Sequence, residues 1–179
     1  MVVCDGGCGD DPDPIISCTS GSTDTHEFRD VTEEVDAALK DAMWGGFITN
    51  KICGDSALLY YSKLKTFRSE VDHKAPWDIK RESSWVKTIG TPFPGKDILV
   101  LYHGVTLTPE NLGNLTYGVI GRAYGIDLIT LLVGSYVAAG FPTEGSALDN
   151  ELFVDQPWIY TGYDVFFPIL FDKYYGDGG

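Results

Sequence analysis

A carboxylate stands beside a large aromatic ring and a cation in the middle of the chain. The order is Pro76-Trp77-Asp78, followed two residues later by Lys80. A nearby cation favours the ionised form of a carboxylate. We therefore predict that Asp78 is an ionised acid in a cleft of which Trp77 forms a wall. The alternative is an exposed turn with a surface ion pair between Asp78 and Lys80.

A second polar stretch, residues 112–125, combines glycines with side chains that can form hydrogen bonds. Asn114 and Tyr117 are three positions apart, and Gly118 and Gly121 fall on the same side of a helix. Glycine inside a helix costs up to about 1 kcal/mol relative to alanine. The stretch therefore indicates either a substrate groove edged by Asn114 and Tyr117, or a helix crossing notched by glycine.

Helices are predicted to position both stretches. Apolar residues at helical spacing predict one helix from about Asp30 to Gly45-Gly46, and another from Ser56 to just before Pro76.

The second half of the chain continues this pattern. Thr-Pro-Glu at 108–110 is typical of a helix start. An apolar helix over 127–139 is predicted to be buried, and the last helix is predicted to be N-capped near Asp155 and kinked or ended by Pro168. Residues 97–102 suit a short strand or an extended segment.

The predicted fold is mainly α: a compact single-domain, lysozyme-like bundle of about five helices with little or no β structure. It occupies residues 29–179, the predicted catalytic domain, and follows a linker-like N-terminal arm over residues 1–28.

The cysteines predict that this arm is pinned by disulfides. They are even in number and crowded into the first third of the chain: Cys4, Cys8, Cys18 and Cys53. Two disulfides, of undetermined pairing, would restrain an irregular arm and indicate a secreted, extracellular protein. The alternatives are a zinc site, for which the Cys-x-x-Cys spacing is absent, and free thiols. No cofactor or metal is implied.

The formal net charge of −13 disfavours partners that are themselves anionic. It repels nucleic-acid phosphates and acidic lipid but suits a cationic, peptide-decorated cell wall. No apolar run reaches the roughly 18 residues of a membrane span, and we therefore expect no membrane partner. We also expect a monomer.

Three motifs together resemble the polymorphic toxin type 44 domain. They are Pro-Trp-Asp-x-Lys within 71–80, Gly-Asn-x-x-Tyr-Gly within 113–125, and an aspartate four residues before Ile-x-x-Gly, at Asp155. The resemblance spans roughly residues 30–165. The chain departs from the family pattern at Lys74-Ala75, where glycines are usual, and at Glu151-Leu152-Phe153, where two adjacent acids are usual.

The resemblance implies one of two activities. Family members are described as exported toxins and predicted ribonucleases, whereas similar domains in secreted fungal proteins act as muramidases. The acidic charge and the expected disulfides favour the second. We therefore predict a secreted glycosidase of the lysozyme type that cleaves peptidoglycan.

Such chemistry needs two carboxyl groups, one protonated and one ionised. With Asp78 ionised beside Lys80, the predicted acid is Glu34, which borders the apolar face of the first helix. The alternative for Glu34 is a solvated helix flank. The predicted substrate-binding residues are Trp77, Asn114, Tyr117 and Asp155, the last of which could instead be a helix N-cap.

Two other functions stay open. An exported ribonuclease could use His73, His103, Lys80 and Arg122, although no basic stripe accompanies them. A non-catalytic wall-binding module could stack sugars on the tyrosines near the C-terminus, which are Tyr160, Tyr163, Tyr174 and Tyr175.

Overall fold

Helices make up most of the computed structural model, which describes residues 28–54, 56–72, 75–79, 85, 99–141 and 144–176. Four separate helices are α1 (Thr32–Cys53), α2 (Ala57–Val71), α3 (Pro109–Ala123) and α4 (Leu128–Ala138), and a continuous helical stretch covers 145–175. The prediction of a mainly α domain with about five helices is confirmed. At the start of α3, the Thr108 side chain accepts a hydrogen bond from the Asn111 N–H, as the Thr-Pro-Glu signal predicts.

The C-terminal helical stretch alternates α and π turns. Its segments are α5 (Gly145–Asn150), π1 (Glu151–Asp155), α6 (Gln156–Thr161), π2 (Gly162–Phe166) and α7 (Phe167–Tyr175). Pro157 and Pro168 each stand just after a π segment. Proline lacks an N–H and crowds the carbonyl four residues back, and the wider turn leaves room for it. Asp155 is therefore inside the helix and makes no side-chain cap, so its prediction as an N-cap was wrong.

A small sheet lies beside the helices. The strands are β1 (Arg29–Asp30), β2 (Val100–Tyr102) and β3 (Val105–Leu107), with β1 parallel and β3 antiparallel to β2. The hairpin turn is His103-Gly104, both with positive φ, as a two-residue turn requires. The predicted strand within 97–102 is present. Its partners were not predicted, because strands of two or three residues are too short for a period of two to show.

The glycine pair in α1 does not end the helix, contrary to the prediction. The helix continues to Cys53, and Gly46 packs against the end of α3. A Cβ on Gly46 would lie 2.7 Å from Cδ2 of Tyr124 and 3.0 Å from Cβ of Ala123. The glycine is therefore a packing notch.

A closer contact joins α3 to the C-terminal helical stretch. A Cβ on Gly118 would overlap the carbonyl oxygen of Ile159, and a Cβ on Gly162 would overlap that of Leu115. The two backbones therefore touch at reciprocal glycines. The interpretation of Gly118 as part of a notched helix crossing is confirmed.

The prediction that the apolar helix α4 is buried is wrong for part of its surface. Leu131 faces the core, but Ile129, Val133 and Val137 are exposed. Apolar composition shows that a helix can be buried, and neighbouring elements decide which faces are covered. No helix in the described part of the chain is long and apolar enough to cross a membrane.

A buried aspartate ties three elements together. Asp36 of α1, 2% exposed, accepts hydrogen bonds from the Tyr102 hydroxyl (3.0 Å) and from the Lys173 ammonium (2.8 Å), and lies 2.9 Å from Nε2 of His103. We call these residues, together with Tyr174, whose hydroxyl lies 3.5 Å from Asp36, the Asp36 cluster. It connects α1, the hairpin and α7.

The predicted disulfides are not supported. Cys53 carries a free thiol at the end of α1. The prediction that all four cysteines form disulfides is therefore wrong for Cys53. The other three, Cys4, Cys8 and Cys18, lie outside the described residues, as does the arm over 1–27.

Replacement of Gly118 should destabilise the fold. In Gly118→Ala the new methyl group meets a backbone carbonyl that cannot move aside, and we expect a loss of about 1–3 kcal/mol in the free energy of unfolding. The matched control is Gly45→Ala in α1, where nothing lies within 4 Å of the new methyl group and helix propensity should raise stability by about 0.5–1 kcal/mol. Urea denaturation followed by circular dichroism measures both. Equal changes in the two variants would contradict the backbone contact.

Lys173→Met should remove stability at neutral but not at strongly alkaline pH. The hydrogen bond from Lys173 to Asp36 raises the pKa of the lysine above its ordinary value of 10.5. Its contribution is therefore complete below that value and is lost as the pH rises through the higher pKa of the folded state. Because Lys173 is half-exposed, we expect a difference from the wild type of about 0.5–1 kcal/mol at pH 7–9. Urea titrations across pH 7–11.5, with Lys65→Met as control, should show this difference shrink; a constant difference would refute the prediction.

Candidate functional site

A cleft of about 680 Å³ contains most of the residues that the sequence singled out. It lies between the segment that follows α2, one side of α3, the second half of α4 and the π1 segment. Five of the seven predicted catalytic and substrate-binding residues line it: Trp77, Asp78, Asn114, Tyr117 and Asp155. Motifs far apart in the sequence therefore meet at one site.

Tight turns of the backbone place Asp78 in the cleft. The N–H of Trp77 donates to the carbonyl of Glu70, and the N–H of Asp78 donates to the carbonyl of Ala75, both at 3.0 Å. The segment is thus folded back onto the end of α2. Asp78 is 7% exposed, which excludes the alternative of an exposed turn.

Trp77 contributes mainly to the core. Its ring packs edge-on against Trp85 with centroids 6.1 Å apart, and both rings are buried. Only a small part of Trp77 faces the cleft, so it holds the Asp78 segment in place more than it offers a stacking surface.

The cleft also contains a carboxyl that sequence reasoning did not select. Glu151 is 3% exposed, and the Ser135 hydroxyl lies 2.6 Å from its Oε1 atom. Burial, together with the charge of Glu151, raises the pKa of Tyr117 well above its usual range. Tyr117 therefore stays a neutral phenol, and its hydroxyl donates to the Leu131 carbonyl at 3.3 Å.

One signal could have identified Glu151. It stands where the resembled family usually has two acids, and it precedes Asp155 by four residues, a spacing that puts both on one side of a helix.

Asn114 and Asp155 are joined directly across the helix crossing. The Asn114 Nδ2 donates to Asp155 Oδ1 at 2.6 Å. The bond orients the amide and the carboxylate toward each other at the cleft wall. Both were predicted to bind substrate, and the structure brings them together.

Acidic side chains dominate the cleft. Five carboxylates line it, namely Asp72, Asp78, Glu110, Glu151 and Asp155, and Arg68 is the one basic residue among the described lining residues. Arg68 is already paired with Asp72 at 2.7 Å. A cleft of this charge repels phosphate groups and accepts hydrogen bonds from hydroxyl and amide donors.

Glu34 is not brought to the cleft. This residue, on α1, lines a separate acidic depression and pairs with Arg29 at 3.2 Å. It therefore does not share the cleft with Asp78. Sequence periodicity places Glu34 at the border of the apolar face but cannot show which neighbour that border meets. Lys80 and His73 lie outside the described residues.

The candidates for the alternative functions have structural partners. His103 belongs to the Asp36 cluster, and Arg122 donates to the Tyr163 carbonyl at 2.6 Å and to Asp164 at 3.0 Å. Tyr174 and Tyr175 hydrogen-bond to α1. Tyr160 is exposed.

Comparisons with known proteins give no match, whether to family models, to curated proteins or to solved structures. Within the described residues, no group of three His, Cys, Asp or Glu side chains could hold a metal ion. The geometry of the cleft is therefore the basis for a functional proposal.

Ser135→Ala should be costly because it removes the donor that faces a buried carboxyl. We expect a loss of about 1–3 kcal/mol in the free energy of unfolding, the usual range when a buried polar group loses its hydrogen-bond partner. The control is Ser69→Ala on α2. Both serine hydroxyls reach the carbonyl three residues back, but Ser69 is exposed, so its loss should change stability by less than about 0.5 kcal/mol. Thermal and urea unfolding measure the two variants, and similar losses would show that Glu151 does not depend on Ser135.

Proposed function

We propose that the protein is a glycoside hydrolase that cleaves the glycan strands of bacterial peptidoglycan, with Asp78 and Glu151 as the catalytic carboxyl pair. The observation that carries the proposal is the single cleft lined by two buried carboxyl groups from distant parts of the chain. Glycosidic bonds are hydrolysed by such pairs, one acting as acid and the other as base or nucleophile.

Glu151 is assigned as the acid on the basis of its surroundings. Its Oε1 atom accepts a hydrogen bond of 2.6 Å from the Ser135 hydroxyl, whose oxygen also lies 2.9 Å from the carbonyl of Leu132. Within the described residues, no cation pairs with Glu151. A buried carboxyl that faces a hydroxyl and the cleft, and no cation, suits the general acid of a glycosidase.

Asp78 is the base or nucleophile of the pair. It lines the same cleft as Glu151 and comes from the turn after α2. Asn114 and Asp155, joined at 2.6 Å, are placed to bind sugar hydroxyl and amide groups. Their fixed orientation would hold the substrate against the two carboxyl groups.

The charge of the cleft favours a glycan over a nucleic acid. Among the described lining residues, five acidic side chains accompany a single arginine, which is paired with Asp72, and a phosphate backbone would be repelled. Two of the three motifs that resemble the toxin type 44 domain supply Asp78 and Asn114, and the third supplies Asp155. The muramidase branch of that resemblance is the one that agrees with this chemistry.

Neutral isosteres of the two acids should abolish hydrolysis while the fold is kept. We expect Asp78→Asn and Glu151→Gln each to lower the rate of peptidoglycan hydrolysis by about 10²–10⁴-fold, the usual contribution of a positioned acid or base. The measurement is mass analysis of the muropeptides released from purified peptidoglycan, with circular dichroism to verify folding.

Two further variants separate the possible assignments. Asp149→Asn removes an exposed acid two residues from Glu151 that does not line the cleft, and it should retain activity. Glu34→Gln should also retain activity; if it inactivates the enzyme while Glu151→Gln does not, the acid lies on α1 and our pair is wrong. Degradation of naked RNA by the wild type, without release of muropeptides, would overturn the glycosidase proposal.

A further inference from the structure

An apolar groove opens from the carboxylate cleft. It occupies about 350 Å³ between α2 and α4, which is within the range of small-ligand pockets. Phe67, Ile126 and Leu131 are buried along it, and Leu64 and Val71 stand at its sides.

The groove and the cleft form one continuous depression. Tyr117, Gly134 and Val137 line both of them. At Gly134 a Cβ would lie 2.9 Å from the Tyr117 hydroxyl oxygen, so a larger residue would crowd the boundary between the two. A molecule bound at the carboxylates can therefore extend an apolar part into the groove.

The edge of the groove is exposed enough for an apolar part of a bound molecule to reach it. Val137 is 45% exposed where it lines the groove. The described lining of the groove includes one acid and one base, Asp72 and Arg68, which are bonded to each other, whereas acids dominate the described lining of the cleft. Its remaining lining offers an incoming group apolar contact.

We propose that the apolar groove is a subsite for an alkyl or acyl substituent carried by the sugar that the cleft binds. The proposal rests on the proposed function, because the cleft supplies the binding of the sugar. It makes the protein selective for glycans with apolar substituents over unsubstituted ones. The substituent gains affinity by leaving water, and the adjacent carboxylates fix the position of the sugar.

Binding of a homologous series tests the groove without any need for catalysis. The probes are methyl to hexyl 1-thio-β-glucosides below their micelle concentrations, since thioglycosides resist hydrolysis, and the readout is NMR titration of the wild-type protein. Burial of each methylene should strengthen binding about fourfold until the groove is filled. A Kd that does not change with chain length would overturn the proposal.

A matched pair of variants locates the effect. Val137→Asn should weaken binding of the hexyl compound about tenfold more than binding of the methyl compound; because Val137 also lines the cleft, the methyl compound reports any change there. Val133→Asn alters a neighbouring position of α4 that is 56% exposed and lines neither the groove nor the cleft, and it should change neither value. Equal effects of the two variants would place the alkyl chain on the exposed face of α4 and refute the subsite.

The outcome is separable from that of the catalytic proposal. Dependence on chain length that Val137→Asn removes supports the subsite even if no muropeptides are released, and in that case only the hydrolase assignment fails. Release of muropeptides by a protein whose affinity ignores chain length leaves the hydrolase standing and overturns the subsite.

Discussion

Contact between the backbones of α3 and the C-terminal helical stretch is the constraint on which the rest of the described structure depends. Gly118 and Gly162 are reciprocal in this contact, since a methyl group on either would overlap a carbonyl oxygen of the other helix. Helices at this distance cannot slide or rotate without a backbone clash. The crossing therefore fixes the relative position of the two helices at which Asn114, one turn before Gly118, meets Asp155. It also brings the π1 segment to the edge of the cleft.

The prolines and the π turns act together with this crossing. Pro157 cannot follow a regular α-helical turn without crowding the carbonyl of residue 153, and the π1 segment just before it widens the turn. The two acids of the cleft that come from this stretch, Glu151 and Asp155, are the first and last residues of π1. Local widening of a helix is thus found at the point where the helix supplies side chains to the site, as is frequent for π turns.

Local signals in the sequence predicted more of the fold than of the site. The caps, apolar stripes and prolines predicted α2, α3 and α4 to within a few residues, because they act within one or two turns. Gly46 was wrongly predicted to end a helix, because the sequence alone does not distinguish a glycine that allows close packing from one that stops a helix. For the candidate site, the sequence singled out Asp78, Asn114 and Tyr117, which line one cleft, but it also selected Glu34, which does not line that cleft. Which acids share the cleft with Asp78 depends on the helix crossing, and a sequence pattern does not show that geometry.

Two of the buried carboxyl groups, Asp36 and Glu151, differ in their partners. Asp36 lies against a lysine of α7 and against a histidine and a tyrosine hydroxyl of the hairpin, so its removal would leave those partners without an acceptor. Glu151 faces a hydroxyl and the cleft, beside a tyrosine that burial keeps neutral. Asp36 is paired with a cation, whereas Glu151 makes no ion pair within the described residues. For this reason we assign proton transfer in the proposed reaction to Glu151, and not to the more heavily bonded Asp36.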